Sequence, residues 1–127
     1  MAHSKLYAPS VALAALALAS PAFAGLSAAP KVVGNSKAGK TVFTTNCSAC
    51  HTLKEAAAVG NIGPNLDKAA KTLTEATIVK AVTNGGSTVM TKAAAAKYST
   101  MMVAYGGVLS KAQIQNVAAF VFVSTHK

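Results

Sequence analysis

The stretch NCSACHTL, residues 46–53, contains both cysteines of this 127-residue chain, and a histidine follows the second cysteine directly. Three kinds of site use two thiols at this spacing with a histidine beside them: a redox-active dithiol, a zinc site and a covalently attached haem. Cys47, Cys50 and His51 are compatible with each of them. A structural disulfide is a poor alternative, because the two cysteines would close only a very short loop and restrain the unfolded chain little.

The first residues have the layout of a secretory signal. Lys5 precedes an apolar run over 11–19, and the small-residue site Ala22-Phe23-Ala24 follows that run. This order predicts export with cleavage after Ala24; the alternative is an uncleaved N-terminal anchor. The apolar run is shorter than the roughly 20 residues that span a bilayer. We therefore expect a location in the periplasm or an equivalent extracytoplasmic compartment, no membrane segment after cleavage, and three parts: a signal peptide (1–24), an irregular lead-in (25–35) and one domain (36–127).

Lysine carries almost all of the charge. The chain has twelve lysines, no arginine and three acids, with a formal net charge of +9. Loss of Lys5 with the signal leaves eleven lysines against three acids, a net charge of +8. A field of this sign steers encounters with acidic partners. Nucleic acid is not expected as a partner, because the chain is predicted to be exported and lacks arginine for bidentate recognition.

Helical periodicity accounts for most of the predicted domain. A first helix is expected to begin near Ser36 and to run through Phe43 into the cysteine motif. A second is expected to be capped by Thr72 or Thr74 and to end at Gly85, with one apolar face formed by Leu73, Ala76, Val79 and Val82. The segment TKAAAAKYS, 91–99, favours a short helix. After the cap Ser110, a last helix has its apolar positions at Ile114, Val117, Ala118 and Val121.

This predicted architecture separates the three chemistries. No run alternates like a strand, so the prediction is an all-α fold, whereas a thioredoxin-type dithiol belongs beside a βαβ unit. A structural zinc site needs four ligands, and beyond the motif the mature chain offers only His126. For haem, residues three apart lie on one side of a helical turn, so Cys47 and Cys50 can reach both vinyl groups of one porphyrin. C-x-x-C-H is the attachment pattern of c-type haem.

From Gly39 to about Ser124 the chain resembles the class I c-type cytochromes, particularly the small single-haem electron carriers of bacteria and algae. The resemblance rests on Gly39, Phe43 and Cys47 at intervals of four, then CSACH, GPNL at 63–66, MVAYGGVLS at 102–110 and VAAFV at 117–121. It implies four to five helices wrapped around one covalently bound haem c. It also implies that Gly39 admits close approach of the last helix, with Phe120 in the aromatic position there.

The resemblance assigns individual roles. Cys47 and Cys50 form the haem thioethers, His51 binds the iron, and the carbonyl of Pro64 accepts the other ring N–H of His51. Met102 falls on the family's methionine ligand, and Met101 and then Met90 are its competitors. Two features depart from the family pattern: Val103 stands where a proline is usual, and the stretch 91–100 resembles an insertion.

The expected function is that of a monomeric one-electron carrier, not an enzyme, with the haem iron held by histidine and methionine. Reductases and oxidases with acidic docking surfaces are the expected partners, and Lys54 is the first candidate for a docking lysine because it lies close to the motif. Two alternatives stay open. The chain could be a haem subunit of a larger dehydrogenase or oxidase complex. If no methionine binds, it could be an open-site haem protein that takes a small gas or peroxide.

Overall fold

The computed structural model describes residues 31–98 and 100–127, so the predicted signal peptide and most of the lead-in lie outside the described residues. This part of the chain is mainly helical, as predicted. It contains five helices: α1 (Ser36–Asn46), α2 (Leu66–Ala69), α3 (Glu75–Asn84), α4 (Lys92–Ala95) and α5 (Lys111–Thr125). Two short strands, β1 (Thr52–Leu53) and β2 (Ala58–Val59), and 3₁₀ turns at Lys54–Ala56, Ala70–Thr72 and Gly86–Thr88 complete the described elements. None of these helices is long and apolar enough to cross a membrane.

Helices α1 and α5 pack closely against each other. Asn35 caps α1, because its side-chain oxygen accepts the N–H of Ala38 at 3.0 Å. A Cβ atom placed on Gly39 would lie 1.9 Å from the carbonyl oxygen of Asn116, so only glycine permits this approach. One turn further on, Phe43 meets Phe120 edge to face with ring centroids 5.8 Å apart. The predicted contact of the first and last helices through Gly39 is therefore confirmed.

The ends and the buried face of α5 follow the predicted pattern. Ser110 caps the helix and forms a reciprocal capping box with Gln113. All four predicted apolar positions of this helix are buried: Ile114, Val117, Ala118 and Val121.

The predicted face of α3 is partly wrong. Thr74 caps the helix through the N–H of Thr77, and Gly85 ends it with a φ of 92°. The buried residues are Ile78 and Val82, whereas Ala76 is exposed. A series with a constant spacing of three residues drifts around a helix of 3.6 residues per turn, so its members cannot all face one neighbour.

A small antiparallel ladder follows the cysteine motif. Thr52 pairs with Val59 and Leu53 with Ala58, and Ala57 turns the chain with a φ of 51°. The side chain of Leu53 is completely buried. Two-residue strands are too short to produce a recognisable alternation, which is why the all-α prediction did not include them.

The segment just before α1 is fastened to two helices. The N–H groups of Val33 and Gly34 lie 3.0–3.3 Å from the carboxylate of Glu75 in α3. Asn35 donates its N–H to the side-chain oxygen of Asn116 in α5 at 2.8 Å. Residues 31–35 thus join the three long helices although they form neither helix nor strand.

Candidate functional site

A cleft of about 520 Å³ is lined by residues of α1, α3 and α5 and of the loops between them. Its volume falls within the roughly 300–1,000 Å³ that is usual for ligand sites. The walls are mostly apolar, and include Phe43, Leu66, Leu73, Ile78, Val82, Val117 and Val121. The structure brings every residue predicted for the site to this cleft: Cys47, Cys50, His51, Pro64, Met90, Met101 and Met102.

The cysteine motif forms a tight turn directly after α1. The carbonyl oxygen of Cys47 accepts the N–H groups of Cys50 at 3.1 Å and His51 at 3.0 Å. This turn brings Cys47, Cys50 and His51 to the lining of the cleft. Burial, and secondarily the nearby Cys50, raises the pKa of the Cys47 thiol to about 11. Redox-active dithiols depend on a lowered pKa, so this environment does not favour the dithiol interpretation.

His51 is held by the loop that follows the ladder. The imidazole is only 8% exposed, and its Nδ1 lies 2.9 Å from the carbonyl oxygen of Pro64. A carbonyl can only accept, so Nδ1 carries the proton and Nε2 is left with the lone pair that a metal requires. A second hydrogen bond joins this loop to the cysteine motif: Gly63 donates its N–H to the carbonyl oxygen of Cys50 at 2.8 Å.

Gly63 packs against the imidazole of His51, a role that the surrounding sequence did not indicate. A Cβ atom at this position would lie 2.7 Å from Cε1 and 3.0 Å from Nδ1 of His51. The glycine therefore lets the main chain pack directly against the imidazole. In the sequence, Gly63 could be recognised only as loop punctuation, and the GPNL pattern was the one signal of a more specific role.

Main-chain hydrogen bonds fasten the methionine-containing loop to the end of α3. Tyr105 and Gly106 donate their N–H groups to the carbonyl oxygens of Val82 and Thr83 at 2.9 and 3.0 Å. Gly86 donates its N–H to the carbonyl oxygen of Met102 at 3.0 Å. The backbone on both sides of Val103 is therefore fixed without the proline that is usual in the family pattern.

The three methionines differ in their packing. Met102 packs partly buried against the apolar core, and its Cβ lies 3.1 Å from the point where a Cβ on Gly86 would stand. The Met90 Sδ atom lies 3.7 Å from that point. Met101 is 38% exposed. Met90 is also partly buried and donates its N–H to the Gly86 carbonyl oxygen at 3.2 Å, so contact with the apolar core is what distinguishes Met102, and all three methionines line the cleft.

The remaining candidates lie away from the cleft lining. His126 is exposed and stacks on Phe122 with centroids 4.1 Å apart, and Lys54 is exposed on the turn after β1. Within residues 31–98 and 100–127, no three His, Cys, Asp or Glu side chains are grouped as a metal site. Two adjacent thiols, an imidazole of fixed tautomer, thioethers and apolar walls are the donor set that c-type haem requires. The residues present therefore fit that group.

Comparisons with known proteins agree with this donor set. A family model described as cytochrome c matches residues 36–122. Cytochrome c6 of Rippkaea orientalis (strain PCC 8801 / RF-1) is 37% identical over 110 residues, covering 78% of this chain and 79% of that protein. Cytochrome c6 of Synechococcus sp. (strain ATCC 27167 / PCC 6312) is 37% identical over 89 residues, or 70% of each chain. A solved structure, the c-type cytochrome SorU from Sinorhizobium meliloti, is similar with a TM-score of 0.52 and 29% identity, over 72% of this chain and 91% of that one.

Proposed function

This chain belongs to the cytochrome c family, and we propose that it carries single electrons outside the cytoplasm with its haem iron held between His51 and Met102. Family membership confirms the predicted class I all-α fold, the covalent haem c and the function of an electron carrier rather than an enzyme. The ligand pair, the thioether residues, the compartment and the docking surface are the proposed elements.

The hydrogen bond from His51 to Pro64 is the observation that carries the proposal for the first ligand. At 2.9 Å this bond supports a ring orientation and a tautomer that leave Nε2 available to the iron. When bound, the haem supplies a ferric–ferrous couple at its iron. Cys47 and Cys50 would hold the porphyrin by thioethers, since they border the same cleft from the turn that presents His51.

The anchored loop supports Met102 as the second ligand. Because Gly86 binds the main-chain oxygen of Met102 and Tyr105 binds that of Val82, the position of the Met102 backbone is determined by α3. Met90 follows the turn at Gly86 and also borders the cleft, so it is the competitor that an experiment has to separate from Met102. A thioether opposite histidine raises the reduction potential of haem.

The charge and the first residues support the remaining elements. The net charge of +8, from eleven lysines against three acids after loss of Lys5, suits reductases and oxidases with acidic docking surfaces. The signal-like order of residues 1–24 supports an extracytoplasmic location. The exposed Lys54 remains a candidate for docking, although it lies outside the cleft lining.

Substitution of the methionines tests the ligand proposal. We expect Met102→Ala to abolish the weak absorption near the red end of the ferric spectrum that marks the iron–methionine bond, and to lower the reduction potential. Met90→Ala and Met101→Ala are the matched controls and should retain both properties. If Met90→Ala alone removes the band, Met90 is the ligand. If the unsubstituted ferric protein already shows high-spin features, the open-site alternative replaces this proposal.

A further inference from the structure

The segment 91–100 contributes an unusual part of the cleft lining. Thr91, Lys97, Tyr98 and Thr100 all line the cleft from this segment, which departs from the family pattern as an apparent insertion. A second polar part of the lining lies beside the cysteines, where Tyr105 donates its hydroxyl to the carbonyl oxygen of Asn46 at 3.1 Å. Much of the other lining is apolar. The cleft therefore has one polar region next to the thiols and another in the segment that contains α4.

Lys97 is the residue in this second region that carries a full charge. Among the described lining residues there is no aspartate or glutamate, and His51 is the one other titratable base. The chain has only three acids, and each is engaged elsewhere. Glu55 pairs with Lys127, Asp67 accepts the N–H of Lys54, and Glu75 accepts those of Val33 and Gly34. No side-chain carboxylate of this chain is thus placed to neutralise Lys97.

We propose that Lys97 is the counter-charge for a carboxylate of the haem, and that residues 91–98 and Thr100 position this edge of the cofactor. The inference rests on the proposed covalent attachment at Cys47 and Cys50. Haem has its vinyl groups on one side and two propionate carboxylates on the other, so attachment at the thiols directs the carboxylates to a different part of the cleft. A carboxylate that is partly withdrawn from water is stabilised by a partner of opposite sign, and Lys97, which is exposed but lines the cleft, can supply one.

This pairing has a measurable effect on the iron. A positive charge disfavours the more positive ferric state relative to the ferrous state, so its removal lowers the reduction potential. Because Lys97 is exposed, solvent screens its charge, and the coupling of an exposed pair changes the ratio of reduced to oxidised protein by about 2- to 5-fold. At 59 mV per tenfold change for one electron, this corresponds to about 20–40 mV.

Substitutions at two lysines of the same segment test the inference on the haem-loaded protein. Lys97→Gln should lower the potential by this amount in a spectroelectrochemical titration, and Lys97→Arg should restore it. Lys92→Gln is the matched control, because Lys92 is exposed on α4 and does not line the cleft. In proton NMR of the ferric protein, the propionate methylene signals should move in Lys97→Gln and stay unchanged in Lys92→Gln.

Two results would overturn the inference. Equal potentials and equal propionate signals in Lys97→Gln and Lys92→Gln would show that Lys97 does not pair with the haem. An unchanged potential together with slower reaction with an acidic redox partner would make Lys97 a docking residue. Haem staining on denaturing gels separates this failure from that of the proposed function, because an unstained wild-type protein would refute covalent attachment itself.

Discussion

Replacement of Gly63 by alanine is the smallest change that tests how the proposed histidine ligand is held. The added methyl carbon would stand 2.7 Å from Cε1, 3.0 Å from Nδ1 and 3.3 Å from Nε2 of His51, whereas ordinary contacts begin at 3.4 Å. Either the imidazole or the loop must therefore move by about 0.7 Å.

Two hydrogen bonds resist that movement. Gly63 is bonded to Cys50 at 2.8 Å, and the next residue, Pro64, accepts the ring N–H of His51 at 2.9 Å. A shift of about 0.7 Å along either bond takes it beyond the usual limit of about 3.2 Å. Overpacking of this kind costs about 1–3 kcal/mol. In a domain of roughly 100 residues, each 1 kcal/mol lowers Tm by about 4–8 °C, so we expect a fall of about 5–20 °C.

Thermal melting of the ferric haem-loaded protein, followed by circular dichroism, measures this effect. Gly107→Ala is the matched control, because a Cβ atom at Gly107 would meet nothing within 4 Å. We expect the control to melt within a few degrees of the wild type, and Gly63→Ala also to have a changed reduction potential. Equal melting temperatures and equal potentials for the two variants would refute the argument that Gly63 determines the position of His51.

Two further predictions concern attachment and docking. Cys47→Ser or Cys50→Ser should leave the haem with one thioether, and the double substitution should abolish haem staining on denaturing gels; undiminished staining would contradict covalent attachment at these residues. Because screening shortens the reach of the net charge of +8 that remains after loss of Lys5 to about 8 Å near physiological salt, the second-order rate with an acidic partner should fall as ionic strength rises. A rate that stays constant would mean that the lysines serve only solubility.

Local sequence signals predicted the helices where capping and periodicity act within one element. Ser110 caps α5 and Thr74 caps α3 as expected, and the short helix α4 lies within the segment whose composition favoured one. The buried face of α3 was less predictable. Which residues of α3 are buried depends on its packing against helix α5, where Ile78 is buried and Ala76 is exposed. The spacing of apolar residues within α3 does not determine this.

The site residues that lie in one short motif could be predicted from the sequence. The contacts between segments that are distant in the sequence could not. Cys47, Cys50 and His51 lie within five residues of one turn, so their spacing alone limits the chemistry to a few kinds of site. The close approach of Gly63 to the imidazole, and of Gly34 to the Gln115 carbonyl, where an added Cβ atom would stand 2.2 Å from the oxygen, depends on how distant segments meet. Lys97 could not be predicted as a site residue either. It is an exposed lysine on an Ala-rich segment, and only the folded structure shows that it lines the cleft.

Both proposed iron ligands are supported by main-chain atoms rather than by other side chains. On one side, the Pro64 carbonyl orients His51; on the other, the Gly86 N–H fixes the backbone of Met102. A main-chain partner is retained when side chains change, so the position of this loop does not depend on a proline where Val103 stands. The cost is a requirement for glycine at Gly63, where a Cβ would stand 2.7 Å from His51. At Gly86 a Cβ would stand 3.1 Å from that of Met102, so a larger residue there would have to displace Met102 by a few tenths of an ångström. The geometry of both proposed ligands thus depends on how closely these two glycines approach them.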